Sequence, residues 1–304
     1  MKQTISSLVV TVLAEDSVGF DTPYLGQHGI SLLIDACRRD EGGDAAPKST
    51  RILMDVGQHS EALLHNMALL DIAPSSIDVI VLTHCHYDHT RGVVRMIREI
   101  GRPGLPVVAH PDIFRPNFEL TPDRKDIGMA PEDGAEAIHA AGAQLALGRT
   151  PHSLAPGLVT SGEVARTTTF EGKNAGLFTE RDGQTVPDPM MDDVSIYATV
   201  EGCGVVVLTG CSHAGIVNIV RSAREVTGAN QVAAVVGGLH LIVADDRTVA
   251  QSVSGLQEEG VGQVCAGHCT GFTAQVALQG AFGRQFSPLR TGQVLTWPRV
   301  EDGK

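Results

Sequence analysis

Aromatic side chains are scarce in this chain: 4% of its residues are Phe, Trp or Tyr, and there is a single Trp. A buried core must therefore come from Val, Ile, Leu and Ala, which the 42% hydrophobic content supplies. Extended runs of Lys or Arg are missing too. With 23 basic against 35 acidic residues the formal net charge is −12, a balance that repels phosphate backbones and argues against a nucleic-acid partner. No stretch approaches the roughly 20 apolar residues of a membrane span, so no membrane partner is expected. The six cysteines form no C-x-x-C pair and no dense framework, which suits reduced thiols and a cytoplasmic location better than a disulfide scaffold. Internal repeats and low-complexity tracts are absent. The opening "MKQTISSLVVTVLAED" reads as a first β-strand rather than a signal peptide, because its apolar part is short, interrupted and rich in β-branched residues.

What remains is a chain of 304 residues, long enough for one large α/β domain or two smaller ones. Apolar, β-branched strands are expected at 7–14, 30–36 and 51–56, with "EGGDAAPKST" as an exposed loop before the third. Leu63, Leu64, Met67 and Leu70 recur at helical spacing behind Ser60, a plausible N-cap. A buried strand at 77–82, a helix at 92–100 and a strand at 105–110 follow. From about 111 to 190 the pattern loosens into Pro, Gly and charged residues, an irregular segment suited to a lid, with one helical piece near "PEDGAEAIHAAG". Order returns with paired strands at 194–200 and 204–210. Helices and strands then alternate to a last strand, "GQVLTW". Strand-rich halves flanked by helices predict one layered α/β sandwich over 1–304 rather than two domains.

The densest chemistry lies in "THCHYDHTRG". Directly after a buried strand the chain spends His84, His86, Asp88 and His89 within a few residues. Alternation in an extended segment lets His84 and His86 face one side. The turn into the next helix can then bring Asp88 and His89 to an adjacent position. Imidazoles with a carboxylate suit Zn²⁺, Fe or Mn²⁺. One or two such divalent ions, zinc first among them, are the expected cofactors. Loop histidines without a role would not be packed at this density behind a buried strand.

The pattern H-x-H-x-D-H resembles the signature of the metallo-β-lactamase fold superfamily. "ILMDVG" resembles the first motif, which implies that Asp55 buttresses the metal loop. "VVVLTGC" resembles the strand that usually ends in Thr-Gly-Asp, and "CAGHCTG" the closing motif, which implies His268 as a late metal ligand. The fold implied is a four-layer αββα sandwich. "GQHGISLLID", "LLHNMALL", "HYDHTRG", "VVLTGCSHAGIVNIV", "VVGGLHL" and "GHCTG" narrow the resemblance to a branch that includes an archaeal synthase. That synthase joins a dihydropterin pyrophosphate to a ribofuranosylaminobenzene phosphate. The usual third-motif histidine is missing, and "PDPMMDDVSIY" occupies its stretch. His213, two residues beyond Cys211 in "TGCSH", is the expected replacement. Cys211 is either a further ligand or a small buried thiol beneath the site.

The expected metal ligands are thus His84, His86, Asp88, His89, Cys211, His213 and His268. Asp88 and His240 are the catalytic candidates, His240 as a contact to substrate or its phosphate. His28 is a weaker candidate, and Asp192 and Asp193 either orient ligands or cap a turn. A helix beginning near Ala214 would turn its positive end towards the pocket and favour an anionic group there. Arg115, Arg124 and Lys125 could carry phosphate ligands on the lid, or be ordinary solvated charges. The function implied is a metal-dependent enzyme acting on a phosphorylated small molecule, pterin-related in the branch reading, as hydrolase or dihydropterin-transferring synthase. A phosphodiesterase- or lactonase-type hydrolase and a non-catalytic ligand sensor of the same fold are the alternatives.

Overall fold

The structure, a computed structural model, describes residues 3–39, 48–174 and 176–298. Two seven-stranded sheets carry most of it. In the first the order is Val294–Trp297, Ser7–Ala14, Ser31–Arg38, Lys48–Met54, Val79–Val81, Leu105–Ala109 and Ala143–Leu147. In the second it is Phe286–Pro288, Val264–Gly267, Val232–Gly238, Gly204–Thr209, Ile196–Val200, Leu158–Thr160 and Ser153–Ala155. The last strand of the chain thus returns to pair with the first, Leu8 opposite Trp297.

Strand alternation builds the layers. Leu32 and Ile34 join a core shared with Val206, Leu208, Ala234 and Val236 of the other sheet. Leu33, pointing the other way, packs with Leu63, Met67, Val93 and Ile97 of the helices over the first sheet. On the second sheet Val205 and Val207 likewise face Ile219, Val220, Val253 and Leu278. Strands buried on both faces need apolar residues at every position, which is why they read as unbroken hydrophobic runs. The result is the expected helix–sheet–sheet–helix sandwich.

Two local expectations need correction. Ser60 is the first residue of helix Ser60–Leu69, not its cap; His59 holds the cap position without a side-chain hydrogen bond. The turn is instead held by Gln27, whose Oε1 accepts from the Gln58 and His59 N–H groups at 2.9 and 2.6 Å. The 111–190 segment is not irregular either. It supplies Ala143–Leu147 at the edge of the first sheet, Leu158–Thr160 and Ser153–Ala155 at the end of the second, and a separate four-stranded sheet of Phe118–Glu119, Lys125–Asp126, Phe178–Arg181 and Gln184–Pro187. The loop expected at 41–50 lies mostly outside the described residues.

Both sheets contain runs of parallel strands, Lys48–Met54 to Ala143–Leu147 in one and Gly204–Thr209 to Phe286–Pro288 in the other. Loops at the carboxyl ends of such strands collect functional residues. Here His84 follows Val79–Val81, Cys211 and His213 follow Gly204–Thr209, His240 follows Val232–Gly238, and His268 follows Val264–Gly267.

Candidate metal centre

Asp55 anchors the site. Fully buried and at a left-handed φ of 58°, it accepts from the Thr83 N–H and hydroxyl, both at 2.7 Å. Its Oδ2 also lies 2.7 Å from His89 Nδ1. Thr83 Oγ1 is in turn 3.0 Å from His84 Nδ1. One carboxylate therefore fixes the ring orientation of two histidines. The approach of the second sheet depends on Gly210, where a Cβ would overlap the Thr83 hydroxyl and crowd Asp55 Oδ2.

Three imidazoles gather on one side. His84 lies with its ring centroid 4.6 Å from His86 and 4.8 Å from His213, and His86 and His213 are 4.8 Å apart. Each is held from outside through one nitrogen: His84 by Thr83, His86 Nε2 by Asn117 Oδ1 at 3.0 Å, and His213 Nδ1 by Asn174 Oδ1 at 3.1 Å. The inward nitrogens of two of them, His84 Nε2 and His213 Nε2, are buried without any partner. A buried polar atom left unsatisfied costs about 1–3 kcal/mol, and two convergent ones are best explained by a cation. One donor atom from each of the three lies within 4.8 Å of the others. Burial, with the neighbouring imidazoles adding to it, holds His84 and His213 well below the usual histidine range. For His86 burial brings the value down to about 4, against the pull of Asp88. All three thus present lone pairs rather than protons at neutral pH.

A second group adjoins them. Asp88 Oδ2 is 3.1 Å from His268 Nε2 and 3.5 Å from His89 Nε2. Cys211 Sγ is 3.2 Å from that same His89 nitrogen. Asp16, exposed at the rim, holds His268 Nδ1 at 3.3 Å, while Glu15 accepts the His268 N–H at 2.6 Å. Burial would raise Asp88, but the facing histidines hold its carboxyl far below the ordinary range. His268 rises in return: burial opposes its charge, and the hydrogen bonds to Asp16 and Asp88 outweigh that. Without a cation, this pair neutralises itself. Two adjoining donor groups, one of imidazoles and one mixed, fit divalent metal.

The remaining candidates divide. Asp192 accepts the Cys85 N–H at 2.8 Å and pairs with Arg115 at 2.7 Å, tying down the histidine loop. Asp193 accepts the Ala214 N–H at 2.7 Å and so grips the loop carrying His213. Burial pushes Asp193 up to about 7, against that hydrogen bond and with Asp192 adding to it. His240 sits beside His213, centroids 4.0 Å apart, at a φ of 48°, and its Nδ1 is buried without a partner. His28 lies exposed at the mouth, 3.5 Å from Asp88. Left-handed backbone at Asp55, Ser212, His240 and His268 concentrates strain at this one place, as functional sites do.

The anion site expected at a helix start is filled by the protein itself, and the basic residues of the lid divide. The helix after His213 runs Ile216–Thr227 rather than from Ala214, and Glu171 takes its free N–H groups, those of Val217 and Asn218. No anionic ligand is needed there. Arg115 is spent on Asp188 and Asp192, and Arg124 on Asp126 and Glu180; only Lys125 of the three borders the cavity beside the cluster. That cavity holds about 330 Å³ and is lined also by His86, Asp88, His240 and His268. A second, of about 430 Å³, lies beyond His213 and His240 and is bordered by Lys173, Asn174 and Thr248. Sequence reasoning missed Asn117, Asn174 and Asp16, which hold the His86, His213 and His268 rings from distant segments.

Comparison with known proteins agrees with this geometry. A family model described as the beta-lactamase superfamily domain matches residues 44–186. The chain belongs to the metallo-β-lactamase fold superfamily, the class that the sandwich and the histidine cluster define. Within it, the chain is 36% identical over 96% of its length, and 97% of the relative's, to the 7,8-dihydropterin-6-methyl-4-(beta-D-ribofuranosyl)-aminobenzene-5'-phosphate synthase of Methanocaldococcus jannaschii. An uncharacterised protein of the same archaeon is 29% identical over 84% of this chain and 88% of its own. Among solved structures, a metal-dependent hydrolase of the beta-lactamase superfamily aligns over 97% of this chain and all of its own, with a TM-score of 0.77 and 23% identity. No helix among the described residues is long and apolar enough to cross a membrane.

Proposed function

We propose that this chain is a metalloenzyme acting on a phosphorylated small molecule, and that its first assignment is transfer of a pterin-type group with departure of pyrophosphate. The observation that carries the reading is the convergence of inward, unpartnered imidazole nitrogens beside a cavity of molecular size. His84, His86 and His213 would hold one ion and Asp88, His89, His268 and Cys211 a second. When bound, the metal supplies Lewis acidity towards phosphoryl oxygens and acidifies water, chemistry that serves transfer and hydrolysis alike. The full-length similarity to a synthase favours transfer, as do the two cavities that meet at His240, because joining two molecules requires holding both.

The chain's own residues have distinct tasks. Lys125 brings positive charge to a rim otherwise edged by Asp16 and Glu119, and would hold a phosphate by charge. Asp55, Asn117, Asn174 and Asp16 keep the imidazole rings aimed inward. His240, with a nitrogen free of protein partners, is suited to move a proton to or from the reacting molecule. A protein carrying the metal should release pyrophosphate from a dihydropterin pyrophosphate only when a ribofuranosylaminobenzene phosphate is also present. Release without that second molecule, or turnover of bis-p-nitrophenyl phosphate at comparable rate, assigns a hydrolase instead. Full metal with no turnover on any phosphate ester or pyrophosphate would leave a ligand sensor.

A further inference from the structure

We propose that Cys269 is a ligand of the second metal position, so that this position holds two sulfurs and differs chemically from the three-imidazole position beside it. The proposal rests on reading the cluster as a metal centre, and adds a residue outside the ligands expected from the sequence. Ligand atoms of Cys211, His268 and Cys269 lie within 4.8 Å of one another. Cys211 Sγ is also 3.2 Å from His89 Nε2, and Asp88 bridges His89 and His268. Cys269 Sγ thus shares its surroundings with Cys211 and His268, which in turn border His89 and Asp88.

Backbone geometry explains how two consecutive residues reach it. In an extended strand His268 and Cys269 would point to opposite faces. The left-handed φ of 50° at His268 and the short 3-10 turn His268–Thr270 break that alternation. The thiol then occupies a prepared niche. A Cβ at Gly238 would stand 2.5 Å from Cys269 Sγ, so only glycine leaves room for the sulfur. The His240 N–H donates to that sulfur at 3.2 Å, a backbone hydrogen bond that suits a sulfur carrying negative charge. Both thiols border the cavity of the site. Cys85 and Cys265, by contrast, are packed in apolar cores.

The chemistry distinguishes the two positions. Thiolates are soft donors that favour zinc or iron over magnesium, calcium or manganese, while imidazoles accept a wider range of transition metals. Metal selectivity should therefore be sharper at the sulfur-bearing position.

Cobalt-substituted full-length protein tests this, because each thiolate bound to Co²⁺ adds to a near-ultraviolet charge-transfer band. The wild type should show the band, Cys211→Ser and Cys269→Ser should each lose about half of it, and the double variant all of it. A Cys269→Ser protein, folded by circular dichroism, that keeps the full band overturns the proposal. Should that variant not fold, iodoacetamide labelling of the wild type decides: Cys269 must be alkylated without metal and protected by stoichiometric Zn²⁺ together with Cys211. Equal labelling with and without Zn²⁺ overturns it, as does a thiol pair that needs reductant before it reacts. A wild type that binds no cobalt sinks the metalloenzyme reading itself, whereas bound cobalt without the band sinks this proposal and removes Cys211 from the second position, leaving the metalloenzyme reading in place.

Discussion

Asp55 illustrates how far single residues could be read. The spacing of His84, His86, Asp88 and His89 was legible because four residues able to bind metal sit within one loop, and Asp55 because it ends a recognisable strand motif. Asn117, Asn174 and Asp16 were not, since they reach His86, His213 and His268 across 31, 39 and 252 residues of chain. Only folding brings such partners together, and an isolated Asn or Asp carries no pattern. Cys269 escaped for a different reason: strand alternation points it away from His268, and the left-handed turn that reverses this has no signature in the letters. Because Asp55 fixes both His89 and the loop through Thr83, Asp55→Asn should lower metal affinity by about 10- to 100-fold while leaving the fold in place. Competition with a chromophoric chelator measures it, and an unchanged affinity would remove Asp55 from the account.

The helices and long strands were legible from periodicity and from unbroken apolar runs. The short strands between 111 and 190 were not, because elements of two to five residues are too brief for a period to appear. Helix Ile216–Thr227 shows the same limit differently. Its start was placed early, and its positive end was assigned to a ligand, when Glu171 from another loop already occupies it. Burial raises the Glu171 carboxyl, against hydrogen bonds from Val217, Ser252 and Asn218. With the folded value above the unfolded one, the folded state binds the proton more tightly. This contribution is therefore full below the ordinary carboxyl value of 4.5 and is lost as pH rises through the folded value. Glu171→Gln cannot ionise, so its melting temperature relative to wild type should rise as pH increases above 4.5. A flat difference, or one that falls with pH, would contradict this placement of the charge.

Across the whole molecule, the donors come from both sheets: His84, His86, Asp88 and His89 from the first, and Cys211, His213 and His268 from the second. The four-layer architecture was legible because both halves read as strands between helices; the return of the last strand to the first sheet was not, since strand pairing leaves no mark in a single short run. We propose that residues 1–304 fold as one unit on this account. Limited proteolysis of the holo protein around 111–190 should not release a half that keeps metal, and added metal should protect both halves together. Recovery of a stable first half with its metal would contradict this. The core between the sheets carries much of the stability. Leu208→Ala, which empties a fully buried position there, should cost about 2–5 kcal/mol in urea unfolding, and a loss well under 1 kcal/mol would mean that the sheets do not pack there as described.

The metal content of the His84→Ala/His86→Ala double variant bears most directly on the central claim, that this loop and its neighbours hold divalent metal. Elemental analysis of anaerobically purified wild type should give one or two equivalents of transition metal, zinc, iron or manganese. The double variant loses two of the three imidazoles of one position and disturbs the loop that carries Asp88 and His89. It should keep its circular dichroism spectrum and retain no stoichiometric metal. A folded double variant with the wild-type complement of metal would contradict the account.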